Sequence, residues 1–217
     1  MSRRHPRTSK DTSIRTGAPL RAAVAVACFA LLSAAPYSRA SDPPPVPSDI
    51  AVEAGFQLFR IAHAVGTQDF VCLPAATPSG VAWSSPSRPQ ATLFDDHDRQ
   101  TLTHFLSPNP DEGGTLRATW QHSGDTSSVW AMPVEQSDDS DYVEPGAIPW
   151  LLLQVVGSEP GPKGGGALAR TKYIQRVNTS GGKAPATGCT QIGEVGTRRF
   201  VPYSADYLFY RATGRPE

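Results

Sequence analysis

Apolar and polar residues alternate in short runs along most of this chain, and clusters of Gly, Pro, Asn and Asp separate the runs. The pattern predicts β-strands joined by turns. Phe56 to Val65 comes first, with Phe56, Leu58, Arg60 and Ala62 on one face and Gln57, Phe59, Ile61 and His63 on the other. Gly66-Thr67 then reads as a turn into Asp69 to Leu73, a hairpin carrying Cys72. Four prolines around Trp83 predict a loop with at most a short strand between Leu73 and Gln90. Ala91 to Asp95 and Thr101 to Leu106 flank a polar turn and form a second hairpin; Thr115 to Gln121 and Ser127 to Val134 follow. The acidic segment Glu135 to Glu144 reads as solvated loop.

The run from Pro149 to Val156 is continuous rather than alternating, which predicts a strand covered on both faces. Gly157 to Gly166 reads as a mobile glycine-rich loop, Leu168 to Asn178 as a long strand, and Arg199 to Pro202 with Tyr207 to Tyr210 as a last strand pair. No stretch sustains a period of 3.6 residues. The expectation is an all-β fold, a single-domain antiparallel β-sandwich or barrel with long Gly/Pro-rich loops.

The first 40 residues change the picture. Six basic residues precede an apolar run from Ala22 to Ala35, and Ser38-Arg39-Ala40 offers small residues at a cleavage site, the pattern of a signal peptide. The run is shorter than the about 20 residues a spanning helix needs. The expected product is secreted or periplasmic, cut near Ala40, with no membrane span after cleavage. Its parts are a proline-rich lead-in at 41–49 that should be extended or disordered, a domain at 50–211, and a tail at 212–217.

The full chain sums to zero formal charge, but beyond Ala40 there are 13 basic against 19 acidic residues, a balance of −6. An acidic domain without a basic run or interleaved aromatics argues against nucleic acid. Cys72 and Cys189 remain after cleavage, an even pair in an exported protein, so a bridge is expected, with two separate buried thiols as the alternative.

Several phrases occur together: HAVG (His63 to Gly66), Phe70-Val71-Cys72, ATLFD (Ala91 to Asp95), THF (Thr103 to Phe105), Trp120 with Asp125 and Ser127, AIPWLLL (Ala147 to Leu153), and YIQRVNTSGGKAPATGC (Tyr173 to Cys189). As a set they resemble the secreted family catalogued as domain of unknown function 3455, over about Pro47 to Tyr210. The resemblance implies a common fold and export, and supports pairing of Cys72 with Cys189. It implies no activity. Phe70-Val71 stands where the family tends to have Tyr-Thr, and His97-Asp98 where it tends to have a glycine in the turn; both bear on local geometry.

Candidate chemistry is sparse. His63 and His104 lie within β-runs and could form an acid/base or metal cluster with Asp95, Asp125 or Asp206, although neither sits at metal-ligand spacing and each could equally satisfy a carbonyl. Tyr173, Gln175, Arg176, Asn178 and Lys183 form a polar group in which Tyr173 and Gln175 face opposite to Ile174, Arg176 and Asn178; Arg176 is expected to pair with a carboxylate such as Asp206. GGKAPATG fails the phosphate-loop pattern, GPKGGG does not open a helix after a strand, and no G-x-S-x-G elbow occurs. No cofactor or resident metal is implied.

Trp83 and Trp120, near polar loops, are the better candidates for an exposed sugar-stacking platform, against packing in the core or as a loop plug, which is the reading favoured for each; Trp150 reads as core. The leading expectation is therefore a non-enzymatic binding or surface-interaction module for a carbohydrate or envelope component, using Trp83, Trp120, Tyr173, Arg176 and Asn178. The alternatives are a hydrolase or metal-dependent enzyme using His63 and His104 with Asp95 or Asp125, and a purely structural secreted protein.

Overall fold

The first strand does not turn at Gly66. In the structure, a computed structural model that describes residues 43–214, β1 (Phe56–Pro74) runs unbroken for 19 residues. Gly66 is there because the neighbouring strand at Gln90 and Ala91 passes too closely for a side chain: a Cβ would stand 2.1 Å from the Gln90 carbonyl oxygen and 2.6 Å from Ala91 Cα. A close backbone approach and a turn both select glycine, and sequence does not separate them. The leader falls outside the described residues.

β2 (Val81–Trp83) pairs with the far end of β1, and the expected second hairpin forms as β3 (Arg88–Phe94) and β4 (Gln100–Asn109). β5 (Thr115–His122), β6 (Ser128–Ser137), β7 (Trp150–Glu159), β8 (Tyr173–Gly181) and β9 (Arg198–Ala212) complete the set, with no α-helix among the described residues. From β3 onward each strand pairs antiparallel with the next, β1 pairs with β3, and β9 returns along β1 from Phe56 to Val71. The result is a closed eight-stranded up-and-down barrel with β2 as an appendage, the barrel rather than the sandwich of the two expected forms.

Closure explains three departures from the sequence reading. The two final aromatic runs are one strand of 15 residues, because β9 must match the long β1 to seal the barrel. β6 extends through Ser137, so the first three residues of the acidic segment are wall, not loop. β8 begins only at Tyr173, because Leu168 leaves the wall to enter the core.

Side chains alternate across the wall. Ala62, Ala64, Leu93, Leu102, Trp120, Val129, Leu151, Leu153, Ile174, Tyr207 and Phe209 form the internal cluster with Leu168. A second cluster lies outside: Trp150, Leu152, Val177, Leu208 and Tyr210 are covered by Ile50, Val46 and Val52 of the N-terminal segment. The lead-in is thus a packed strap, its Ile50 carbonyl accepting from Gln175 Nε2 at 2.7 Å. This accounts for the continuous apolar run at the start of β7, since Leu151 and Leu153 face the interior and Trp150 and Leu152 the strap, leaving neither face to water until the exposed Gln154.

The lower end, where β1 begins, is closed. Asp125 accepts from Ala167 N at 2.9 Å, Ser127 Oγ accepts from Leu168 N at 3.3 Å, and Leu168 fills the end of the barrel. Gly161 and Gly165 press on Asp125 so closely that a Cβ would overlap its atoms, so the glycine-rich loop is pinned rather than mobile. At the upper end the Cys72–Cys189 disulfide ties the end of β1 to the β8–β9 connection.

Candidate functional site

Small interior side chains leave the upper half of the barrel hollow. Ala118 and Ala131, with Gly66 and Ala64 opposite, take little volume, and a cavity of about 880 Å³ opens above Trp120 and Tyr207. A barrel of eight strands has room either for packed side chains or for one small ligand, and this volume lies within the usual range for small-molecule pockets, about 300–1,000 Å³. Phe70, Leu106, Leu151 and Leu153 supply apolar wall; Ser84 to Ser87, Trp83, Pro149 and Lys183 form the mouth.

The mouth is fixed by covalent and polar ties. Trp83 stands opposite Cys72 in the β1–β2 ladder, and its indole Nε1 donates to the Pro185 carbonyl at 2.9 Å. The disulfide from Cys72 therefore holds the 182–189 segment against the tryptophan. Positions 84, 85 and 87 carry serines, and Ser87 Oγ donates to Gln68 Oε1 at 2.6 Å just inside the rim.

A second opening pierces the wall. The β3–β4 ladder stops at Ala91 opposite His104, although β3 stays paired with β1 up to Arg88 and β4 with β5 up to Asn109. Pro89 and Pro108 stand in the segments that diverge, and neither has an N–H to donate across the gap. A cleft of about 690 Å³ occupies this gap and shares Arg88, Pro89, His104, Leu106 and Leu116 with the interior cavity. Val65 and Leu116 at its rim are 62% and 57% exposed.

Arg176 is the main polar feature of the interior. It projects inward from the middle of β8, and its Nε and Nη2 both donate to the Pro149 carbonyl, at 3.2 and 2.8 Å. It forms no ion pair among the described residues. The expected partner, Asp206, faces the outer surface, one residue away from the inward Tyr207. Tyr207 and His104 stand near enough to feel the Arg176 charge.

His104 also faces inward. Its ring stacks on Trp120 at 4.2 Å, and Nδ1 donates to the Thr119 carbonyl at 2.9 Å. Burial pushes its pKa down to about 3, with the Arg176 charge adding to the effect, so the imidazole is neutral at ordinary pH. His63, by contrast, lies on the outer wall, with Nδ1 2.6 Å from Asp206 and Nε2 2.9 Å from Asp96. Hydrogen bonding to Asp96 above all, opposed by burial and helped by Asp206, raises its pKa.

The sequence candidates thus divide by the wall. Trp83, Trp120, Arg176, Lys183 and His104 converge on the cavity. His63 and His104 point to opposite sides and cannot share a metal or a proton, and among the described residues no three His, Cys, Asp or Glu side chains gather as a metal site. Asp95 is a turn staple, held at about 2 by Arg99, and Asp125 a lower-end anchor whose hydrogen bonds outweigh burial and hold it at about 2. Neither reaches His104's cavity. Tyr173 is outside, donating to Glu53 at 3.0 Å. Asn178, which alternation places inward with Arg176, instead reaches the outer Asp206 at 2.8 Å, because a register shift after Val177 and a φ of 50° turn it over. Trp120 is wholly buried, so it is cavity floor rather than an exposed platform.

Gln68 and Tyr207 belong to the cavity and were not legible as such. The one available signal was the A-x-A-x-G spacing of Ala62, Ala64 and Gly66, which marks an inward row with little volume.

Fold and site together define a closed antiparallel barrel with an internal cavity that opens at the upper end and adjoins a cleft between β3 and β4. The family model described as a protein of unknown function (DUF3455) matches residues 53–211, and the chain belongs to that family. No curated protein and no solved structure matches it.

Proposed function

We propose that this is an exported, non-enzymatic binding protein that takes one small molecule into its barrel. The single observation that carries the reading is the cavity of about 880 Å³, hydrophobic over much of its wall and held open at a covalently braced mouth. An apolar cavity with a few placed polar groups is the usual form of a small-molecule site. Of the two ligand types suggested by the sequence, a small envelope-derived molecule suits the site better than a polysaccharide, since Trp120 lies inside and offers no flat surface for a sugar chain. The leader-like first 40 residues support export.

Titration with an anilinonaphthalene dye tests this. Saturable one-to-one binding is expected, with quenching of tryptophan emission because Trp83 and Trp120 line the site. Ala131→Trp, which fills the cavity, should abolish binding while a cooperative unfolding transition persists. Binding that is unsaturable, or unchanged in a folded Ala131→Trp protein, refutes the proposal.

A further inference from the structure

We infer that the ligand of this cavity is an acid: an apolar or amphipathic monocarboxylate that enters head first and seats its carboxylate on Arg176. The inference rests on the binding reading above and adds the chemical class of the ligand.

Charge on the cavity wall has one sign. Arg88, Arg117, Arg176 and Lys183 line it, and no Asp or Glu does. Arg117 is already paired with Glu112 at 2.6 Å, and Arg88 and Lys183 are exposed at the rim. Arg176 differs from these. It lies half-buried at mid-barrel, flanked in the ladder by Leu151 and Tyr207, and among the described residues only neutral groups meet it, the Pro149 carbonyl and the Tyr207 hydroxyl. A guanidinium drawn out of bulk water is costly unless an anion meets it, and its fork of N–H donors matches a planar carboxylate in two parallel bonds.

The groups around Arg176 bring no negative charge. His104 is neutral, its Nδ1 proton directed to the Thr119 carbonyl and its Nε2 left as an acceptor. Two donors among the lining residues, Trp120 Nε1 and Gln68 Nε2, are buried with no acceptor among the described residues. Tyr203 and Tyr207 hydroxyls lie 3.4 Å apart, and burial raises the pKa of both, so neither becomes a phenolate. A surplus of buried donors with no acidic group calls for a ligand that brings acceptors. Above Arg176 the wall turns apolar at Phe70, Leu106 and Trp83, which places the ligand's apolar body toward the mouth and its head below.

The test compares two probes that differ only in the head: dansyl-undecanoate and its methyl ester, titrated by dansyl fluorescence into the full mature protein at about neutral pH, where a carboxylate is ionised. The acid should bind at least about tenfold more tightly than the ester. Arg176→Gln should bring the acid down to the ester's affinity and leave the ester unchanged, and Arg176→Lys should keep part of the preference. Equal binding of both probes by the wild type overturns the acid inference while leaving the cavity reading intact, as does a preference that survives in Arg176→Gln. Failure of both probes to bind removes the cavity reading and this inference with it. Because Arg176 also holds Pro149, unfolding curves accompany each variant; should Arg176→Gln not fold, the wild-type ratio and the Arg176→Lys ratio decide.

Discussion

His104 makes the barrel interior sensitive to acid in a way that can be isolated. The folded protein keeps this imidazole neutral down to about pH 3, whereas in the unfolded chain it takes up a proton near its ordinary 6.5. Between those values the unfolded state binds more protons, so stability falls as pH falls. Each unit of separation is worth about 1.4 kcal/mol; at about pH 5 the unfolded chain is ahead by roughly 1.5 units, and the loss relative to about pH 7.5 is roughly 2 kcal/mol. That is a sizeable share of the about 5–15 kcal/mol that holds a typical domain folded.

The perturbation is His104→Phe, which keeps an aromatic ring against Trp120 but leaves the Thr119 carbonyl without its donor. At about pH 7.5 the variant should be less stable by about 1–3 kcal/mol. At about pH 5 the gap should narrow by roughly 2 kcal/mol or reverse, because the variant has no imidazole whose protonation favours the unfolded state. Urea unfolding followed by tryptophan fluorescence at both pH values measures the gap directly, and other titrating groups, common to both proteins, cancel in the difference. A gap that stays constant across this range would mean His104 is protonated or accessible in the folded state, and the account of a neutral, buried ring would be wrong.

His63 should show the opposite sign. Its pKa is raised by Asp96 and Asp206, so its contribution is complete below about 6.5 and fades as pH rises through the raised value; thermal melts of His63→Gln should differ from wild type by under about 1 kcal/mol at about pH 5.5 and converge by about pH 9. Gly66→Ala should destabilise by about 3 kcal/mol in urea unfolding, because its Cβ meets backbone of β3 rather than a side chain that can move; a loss under about 0.5 kcal/mol would contradict the close crossing. Replacing Cys72 and Cys189 together by Ala should cost up to about 5 kcal/mol, since the bridge closes a loop with a sequence separation of 117; an unchanged unfolding midpoint under reducing conditions would show that the loop is held by other contacts.

Much of the architecture could be read from pattern alone. Strand runs such as Ala91 to Asp95, the continuous Pro149 to Val156 and the two cysteines each carry a local signal: alternation, continuity, or even count. These signals arise within a few residues of chain, where the period of two and the chemistry of turns operate. The length of β1 and β9, the burial of Trp120 and the separation of Arg176 from Asp206 had no such signal. They follow from closing the sheet on itself, which assigns one face of every strand to a single interior and the other to the exterior. Alternation says that Arg176 and Asp206 each face one way, and says nothing of which way is inside. That choice, and with it the separation of His63 from His104 and the gathering of Trp83, Trp120 and Arg176 around one hollow, is made by the pairing of β1 with β9 across more than a hundred residues of chain, an interaction that no local window of sequence contains.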